Sequence, residues 1–442
     1  MAATSSDEND GLPPRLSARF EGSFAYLTIK DRLPVITTKV VNTVYTYRIE
    51  AAQLHGQDGA TDCKDIVAKL SKFRNELQTD KAILPLQPDG EDDIEIWERC
   101  LEEETKANGG TPASWFTSPW LYVECYMYRR IVNIIRQSNH LRNFDPFSEQ
   151  KKAALKQSQE ALVTLAEYQK MTHGKDIDCF KEFMEISLWG NRCDLSISAG
   201  VENSQKISPL AHIANLRNKI LVNDSDKLWR VLQNSRESKA ENEAVRMDIV
   251  LDNAGFELFT DLCLAEYVLR TNLADVIVMH YKAMPWFVSD VGQDDFTYTL
   301  NYLEHQENDS LKKLGRCWSQ RINTKSWVLQ GHPFWTTPHD FSAMQSVAPD
   351  LYSELAKSDL ILLKGDLNYR KLVGDRQWEP TIPYAEALCG FHPAPHCALR
   401  TCKADVIVGL DDGVAEQTAA EDSDWLIDGK FAVIQFSGMI RT

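Results

Sequence analysis

The apolar run Met247 to Leu251 ends in Asp252-Asn253-Ala254-Gly255-Phe256-Glu257, an acid, an amide and a glycine in quick succession. A buried parallel strand opens onto a crevice in this way, with the side chains beyond its carboxyl end leaving the core. Asp252 and Asn253 offer hard oxygen ligands, and Gly255 lets the backbone approach a bound group. A second run, Val276 to Met279, leads through Trp286-Phe287-Val288 to Ser289-Asp290. A third, Leu360 to Leu363, ends in Lys364-Gly365-Asp366-Leu367-Asn368-Tyr369-Arg370-Lys371, and a fourth region carries Leu399-Arg400-Thr401-Cys402-Lys403. Acids and amides follow the first three runs, and cations join them at the last two. The chemistry these types suit is a divalent metal held by carboxylates, facing a phosphate held by Arg and Lys. With two carboxylates, an amide oxygen and no histidine in these motifs, Mg²⁺ or Mn²⁺ fits better than zinc.

Each motif also has a plainer reading. Asp252 after a strand is well placed to cap the following helix. The run Asp366 to Lys371 is equally a solvated loop, although it follows an apolar strand directly and Arg370 has the planar fork that grips phosphate. Arg400 to Lys403 alone reads as the start of a surface strand. Asn191 and Asp194, in Trp189-Gly190-Asn191-Arg192-Cys193-Asp194, either line a cleft at the junction of two halves or are helix-end and turn residues. His392-Pro393-Ala394-Pro395-His396 has the spacing of a metal pair, but its prolines forbid a helix, so it is expected to be a rigid loop.

These residues need elements to position them. Residues 1–20 are small, polar and proline-containing, and are expected to be a disordered tail. Ile36, Val40, Val44 and Tyr47 fall on one helical face, as do Ile66, Leu70, Phe73 and Leu77. Ser118-Pro119 predicts a helix start, with Ser118 as cap and proline at the first turn, before an aromatic helix from Trp120 to about Gln137. Further helices are expected over 151–171 and 180–189, the last stopped by Gly190. Beyond 190, β-branched runs near 246–251, 275–281, 326–330, 359–364, 404–408 and 431–436 alternate with helical segments such as 261–273 and 342–357. That alternation predicts an α/β class, a Rossmann-like αβα arrangement with a mainly parallel sheet. The expected organisation is a helical domain over 21–189 and a catalytic α/β domain over 190–442. The stretch from Glu416 to Asp424 reads as a surface loop.

The chain has 442 residues, enough for a large core, and a formal net charge of −16. That balance argues against nucleic acid and anionic membrane surfaces as partners, while leaving room for a local basic pocket. None of the 10 cysteines forms a Cys-x-x-Cys pair, so a zinc finger or thioredoxin-like centre is not expected. With no apolar leader or span, the expected location is intracellular, cytoplasmic with the nucleus as alternative.

Several of these stretches together carry a resemblance. Ser23 to Arg32, Arg74 to Lys81, Ser118-Pro119-Trp120, Trp189-Gly190-Asn191, Leu251-Asp252-Asn253, Gly365 to Lys371, Phe391 to Pro395 and Gly429 to Phe436 resemble the metal-dependent damage-control phosphatases over nearly the whole chain. Arg400-Thr401-Cys402-Lys403 is similar to the Arg-Thr-x-Lys signature of their sugar-phosphate phosphatase subfamily. The resemblance implies helices packed on a Rossmann-like domain, and a Mn²⁺, Ni²⁺ or Co²⁺ ion on Asp252, Asn253 and Asp290. It places substrate contacts at Asp252, Asn253, Asp366, Leu367, Asn368, Tyr369, Arg370 and Lys403. The activity it implies is hydrolysis of sugar phosphates of the fructose 1-phosphate and fructose 6-phosphate type, with Asp252 either a ligand or a nucleophile. The alternative attached to that subfamily is an S-adenosylmethionine-dependent methyltransferase acting on protein carboxylates, with Glu257 and Asp290 near the methyl donor. One glycine after the strand, beside an acid-amide pair, suits a metal better than that donor.

Overall fold

The computed structural model describes residues 11–439 apart from 173, 199–212, 214 and 241, and gives the backbone alone for 191–198. Seven strands form one sheet: β1 (Ile220–Asn223), β2 (Arg246–Val250), β3 (Val276–Tyr281), β4 (Trp327–Gly331), β5 (Leu360–Lys364), β6 (His396–Thr401) and β7 (Ala432–Ser437). Their spatial order is β1-β7-β6-β5-β2-β3-β4. Every neighbouring pair is parallel except β6 with β7. Central β5 is buried at every residue, which is why its sequence is an unbroken apolar run up to Lys364 rather than an alternation. Successive residues still serve opposite faces. Ile361 and Leu363 join one core, Leu360 and Leu362 the other. The expected αβα class with a mainly parallel sheet is what the chain adopts.

The helices divide between these faces. Helix α1 (Leu33–Gln78), kinked at Gly56 where φ is 65°, and α2 (Trp120–Arg136) build the first core. Helix α3 (Ile177–Ser198) packs instead on α4 (Phe256–Arg270), in the second core, with the apolar residues of 155–189. The stretch 21–189, expected as one helical domain, is therefore shared between the two faces of the sheet. The boundary expected at 190 falls inside α3, and Gly190 does not stop the helix. A Cβ there would lie 2.5 Å from Thr260 Oγ1 and 3.0 Å from Glu257 Cα. The glycine lets α3 and α4 touch.

Other local expectations shift for physical reasons. Helix α2 is buried on almost every side, as its composition predicts, but Ser118 does not cap it. The carbonyl of Leu16 accepts from Trp120 N–H at 2.8 Å, and Asp375 Oδ2 accepts from Leu121 N–H at 3.1 Å. The strand expected at 404–408 lies at 396–401. Residues 404–408 have their backbone groups taken by side chains: Arg400 donates to the carbonyls of Ala404 and Val406, Gln435 to that of Val408, and Val408 N–H reaches Tyr369 Oη. Val414–Glu421, expected as a loop, is a helix, and β1 is a strand that its four residues did not announce.

Candidate active site

Strand β2 lies between β3, to which its crossover leads, and β5, which the chain reaches only after β4. Connections leave the carboxyl ends of β2 and β5 in opposite directions, and ligands bind α/β sheets in such crevices. The tight turns after both strands end there. Gly365 opens helix α5 (Gly365–Leu372) with φ +85°, and a Cβ on it would fall 1.9 Å from Asp252 Oδ2. Only glycine leaves room for the Asp252 carboxylate over the end of β5. From the other side, Phe287 and Val288 take φ of 43° and 70°. A β-branched residue in the left-handed region costs on the order of 1–3 kcal/mol. The strained turn folds Ser289 and Asp290 back onto the end of β2. There Ala254 N–H meets the Ser289 carbonyl at 2.7 Å, and Asn253 bridges to Asp290.

The turns enclose a cleft of about 410 Å³, with Asp252, Asn253, Ser289, Asp290, Asp366, Leu367, Arg370 and Lys403 on its walls. Trp120 and Glu124 from α2, Arg32, Phe287 and Asp428 complete them. Volume does not single it out, since a depression of about 1360 Å³ runs beside α1 near Tyr47 and His140. Converging buried charge does. Asp290 is 3 % exposed, and its Oδ2 pairs with Lys282 Nζ at 3.1 Å. Burial, then repulsion by Glu257 and Asp290, pushes Asp252 well above the usual carboxylate range, and Lys282 and Lys403 offset only part of this. Burial also raises Asp290, against the pull of Lys282. Beneath them Asp261 is raised to about 6, mainly by burial. Four clustered carboxylates, Asp252, Glu257, Asp261 and Asp290, thus meet two buried lysines, Lys282 and Lys364.

The cations divide by role. Arg370 is buried, with Nε and Nη2 on Asp375 at 2.7 and 2.9 Å, Nη1 on Glu124 at 2.7 Å, and its guanidinium 3.6 Å from the Trp120 ring centre. Burial opposes its charge, and Asp375 and Glu124 more than offset that. Arg370 therefore forms a neutralised wall of the cleft rather than an open fork. Arg400 is fully buried. It donates to Asp366 Oδ1 at 2.7 Å and to the two loop carbonyls, and stacks over Tyr369. Its work is to hold Asp366 and the 404–406 segment. Asp366 Oδ1 also accepts from Lys403 N–H at 3.1 Å, which seats Lys403 at the cleft.

A family model described as "Damage-control phosphatase ARMT1-like domain" matches residues 28–418. The chain belongs to this family. Curated relatives named "Damage-control phosphatase ARMT1" include those of Xenopus tropicalis, 47 % identical over 96 % of this chain and 99 % of that one, and of Homo sapiens, 44 % identical over 97 % and 99 %. A crystal structure of a DUF89 family protein from Pyrococcus horikoshii aligns over 77 % of this chain and 87 % of that one, with TM-score 0.41 and 16 % identity.

The ARMT1-like site residues expected from sequence fare unevenly. Asp252, Asn253, Asp290, Asp366, Leu367, Arg370 and Lys403 converge on the cleft. Asn368 does not: its Nδ2 donates to the Lys364 carbonyl, capping the turn. Tyr369 Oη is taken by Gln435 and Val408. Thr401 and Cys402 are buried, and burial lifts the Cys402 thiol to about 11, so of the Arg-Thr-x-Lys stretch only Lys403 reaches the cleft. Glu257 does not line it either. Its Oε1 receives Lys364 and its Oε2 receives Asn253, which leaves no oxygen turned toward a methyl donor. The side chains of Asn191 and Asp194 lie outside the described residues. His396 is a buried core histidine, held by burial near a pKa of about 4. Sequence reading missed Lys282, Lys364, Ser289, Glu124 and Arg32. The first two carried a signal, a lysine at the very end of an apolar strand. Among the described residues no helix is long and apolar enough to cross a membrane.

Proposed function

We propose that this damage-control phosphatase family member is a divalent-metal-dependent phosphomonoesterase for small sugar phosphates of the fructose 1-phosphate and fructose 6-phosphate type. The observation that carries the reading is the convergence of the Asp252, Asn253 and Asp290 side chains on one cleft, where burial pushes both carboxyls above their usual range and Lys282 pairs with Asp290. Two carboxylates and the Asn253 amide are hard oxygen donors, the set that suits Mn²⁺, Mg²⁺, Co²⁺ or Ni²⁺ with water completing the shell. Two carboxylates and one amide leave positions of such an ion for water and substrate, as a catalytic ion needs. When bound, it supplies positive charge to a phosphoryl oxygen and to the attacking water.

The chain's own groups do the rest. Lys403, and Arg32 across the cleft, bind the phosphate oxygens and offset their charge as the ester bond breaks. Arg370 has three of its five N–H groups on Asp375 and Glu124, so its charge is already met. It fixes Glu124 and the Trp120 face as the wall against which the sugar rests. Asp366, held by Arg400, and Glu124 accept hydrogen bonds from sugar hydroxyls. S-adenosylmethionine and a protein substrate find no counterpart in this arrangement. The test is phosphate release over a panel of sugar phosphates with Mn²⁺, Ni²⁺, Co²⁺ and Mg²⁺ varied, beside a methyl-transfer assay. Turnover that persists in chelator, or methyl transfer without phosphate release, overturns the reading.

A further inference from the structure

A chain of buried polar groups runs from beneath the sheet to the Asn253 side chain. Lys364 closes β5 and is 1 % exposed. Its ammonium meets the Ser187 carbonyl at 2.7 Å, Asp261 Oδ1 at 2.8 Å and Glu257 Oε1 at 3.2 Å. An ammonium has three donors, and all three are used. The other oxygen of Glu257, Oε2, accepts from Asn253 Nδ2 at 2.8 Å. The second proton on that nitrogen goes to Asp252 Oδ2 at 2.6 Å. With both N–H groups held by carboxylates, Asn253 Oδ1 has one way to face. It points toward Ser289, whose hydroxyl donates to it, on the Asp290 side of the turn. Reversed, the amide would press its N–H₂ on Ser289 and set its oxygen against two carboxylates. The serine can accept as readily as donate, so the cost falls on the other side, where an amide oxygen would face two carboxylates.

We propose that Lys364 and Glu257 are positioning residues that orient the Asn253 amide, so that its oxygen and not its nitrogen faces a divalent cation. Lys364 holds one oxygen of Glu257 and so commits the other to Asn253. Neither side chain touches substrate, and Glu257 lies behind the cleft wall. The inference rests on the reading of Asp252, Asn253 and Asp290 as a metal site.

Glu257→Gln tests it. Lys364 requires an oxygen, so the new amide turns its N–H₂ toward Asn253, which must flip and present nitrogen to the cation. Calorimetric titration of the metal-free full chain with Mn²⁺ should show at least a tenfold weaker Kd. Asp261→Asn removes one negative charge from the same cluster and touches the same ammonium but not Asn253, so its loss of affinity should be clearly smaller than that of Glu257→Gln. Glu257→Gln combined with Asn253→Asp should recover most of the affinity, because a carboxylate at 253 presents oxygen both ways and accepts from Gln at 257. Asn253→Asp alone is the reference, since a carboxylate ligand strengthens Mn²⁺ binding by itself: Glu257→Gln should cost little in that background, whereas a merely structural role costs the same in both. Wild-type protein that binds no divalent cation sinks the metal reading itself. Wild type that binds, with Glu257→Gln binding equally well, overturns this inference alone. So does an Asp261→Asn loss as large as that of Glu257→Gln, or failure of the double variant to recover.

Discussion

Gly365→Ala perturbs the site through one methyl group, and its consequences can be worked from the geometry. The added Cβ lies 1.9, 2.1 and 2.7 Å from Oδ2, Cγ and Oδ1 of Asp252, whereas ordinary contact begins near 3.4 Å. The carboxylate must retreat by about 1.5 Å or the turn must open. Two costs add. An L-residue at φ +85° loses roughly 1–2 kcal/mol, and forcing a methyl into a packed site costs about 1–3 kcal/mol more. The second cost belongs to the contact with Asp252, so Asp252→Ala should relieve it while the first remains. A double-mutant cycle by denaturant unfolding of the metal-free protein should then give a coupling of about 1–3 kcal/mol. Function should suffer more than stability. A ligand displaced by more than an ångström costs on the order of a hundredfold in turnover, and Mn²⁺ affinity should fall with it. Additive stability effects, or Gly365→Ala protein with wild-type metal affinity and phosphate release, would refute the account of the glycine and of Asp252 as a ligand.

Asp290→Asn should abolish metal-stimulated phosphate release and lower the melting temperature of the metal-free protein, because it leaves the buried Lys282 ammonium without its carboxylate partner. Retained metal-stimulated turnover would remove Asp290 from the site. Lys403→Ala should lower kcat/KM for a sugar phosphate by ten- to a hundredfold, since a charge-assisted hydrogen bond contributes roughly 1.5–3 kcal/mol. Metal affinity should hold, and unchanged kinetics would remove Lys403 from the site. His396, kept neutral by burial with a pKa of about 4, contributes stability that is full above its unfolded value near 6.5 and is lost as pH falls toward 4. The loss approaches about 3 kcal/mol at the low end. His396→Gln should flatten the fall in denaturant midpoint between those limits, and an unaltered slope would place the acid sensitivity elsewhere.

The sheet was legible because its central strands are buried on both faces, so β3 and β5 carry apolar runs and β2 one broken only by Asp248, whose carboxylate Arg246 and His280 hold. The same rule misplaced β6. Asp405-Val406-Ile407-Val408 has the β-branched look of a strand, and its residues from Val406 on are buried. What a strand needs besides burial is backbone partners, and there they come from Arg400, Gln435 and Tyr369 side chains. Single-residue chemistry at remote positions cannot be seen in a local pattern. Gly190 shows the same limit: its type suits a helix end, while its actual use, a bare contact with Thr260 and Glu257, depends on a helix seventy residues away.

The candidate site was legible in its acids and less so in its cations, and one physical reason covers both. An oxygen ligand needs only to stand at a strand end, which sequence reveals. A cation's role depends on which acids surround it, and those come from elsewhere in the chain. Arg370 and Arg400 look equivalent to Lys403 in sequence, each beside an apolar run. Glu124 on α2 and Asp375 beyond α5 consume the first, and Asp366 with two carbonyls consumes the second. The same accounting runs in reverse for Lys282 and Lys364, which the motifs did not flag. Lys282 pairs with Asp290, and Lys364 with Glu257 and Asp261. If both lysines were replaced by methionine, the carboxylates beside them would lose their counter-charge, and burial would be expected to protonate them. Metal affinity should then fall although no proposed ligand is touched, and Mn²⁺ titration of the double variant checks this: unchanged affinity would place both lysines outside the site.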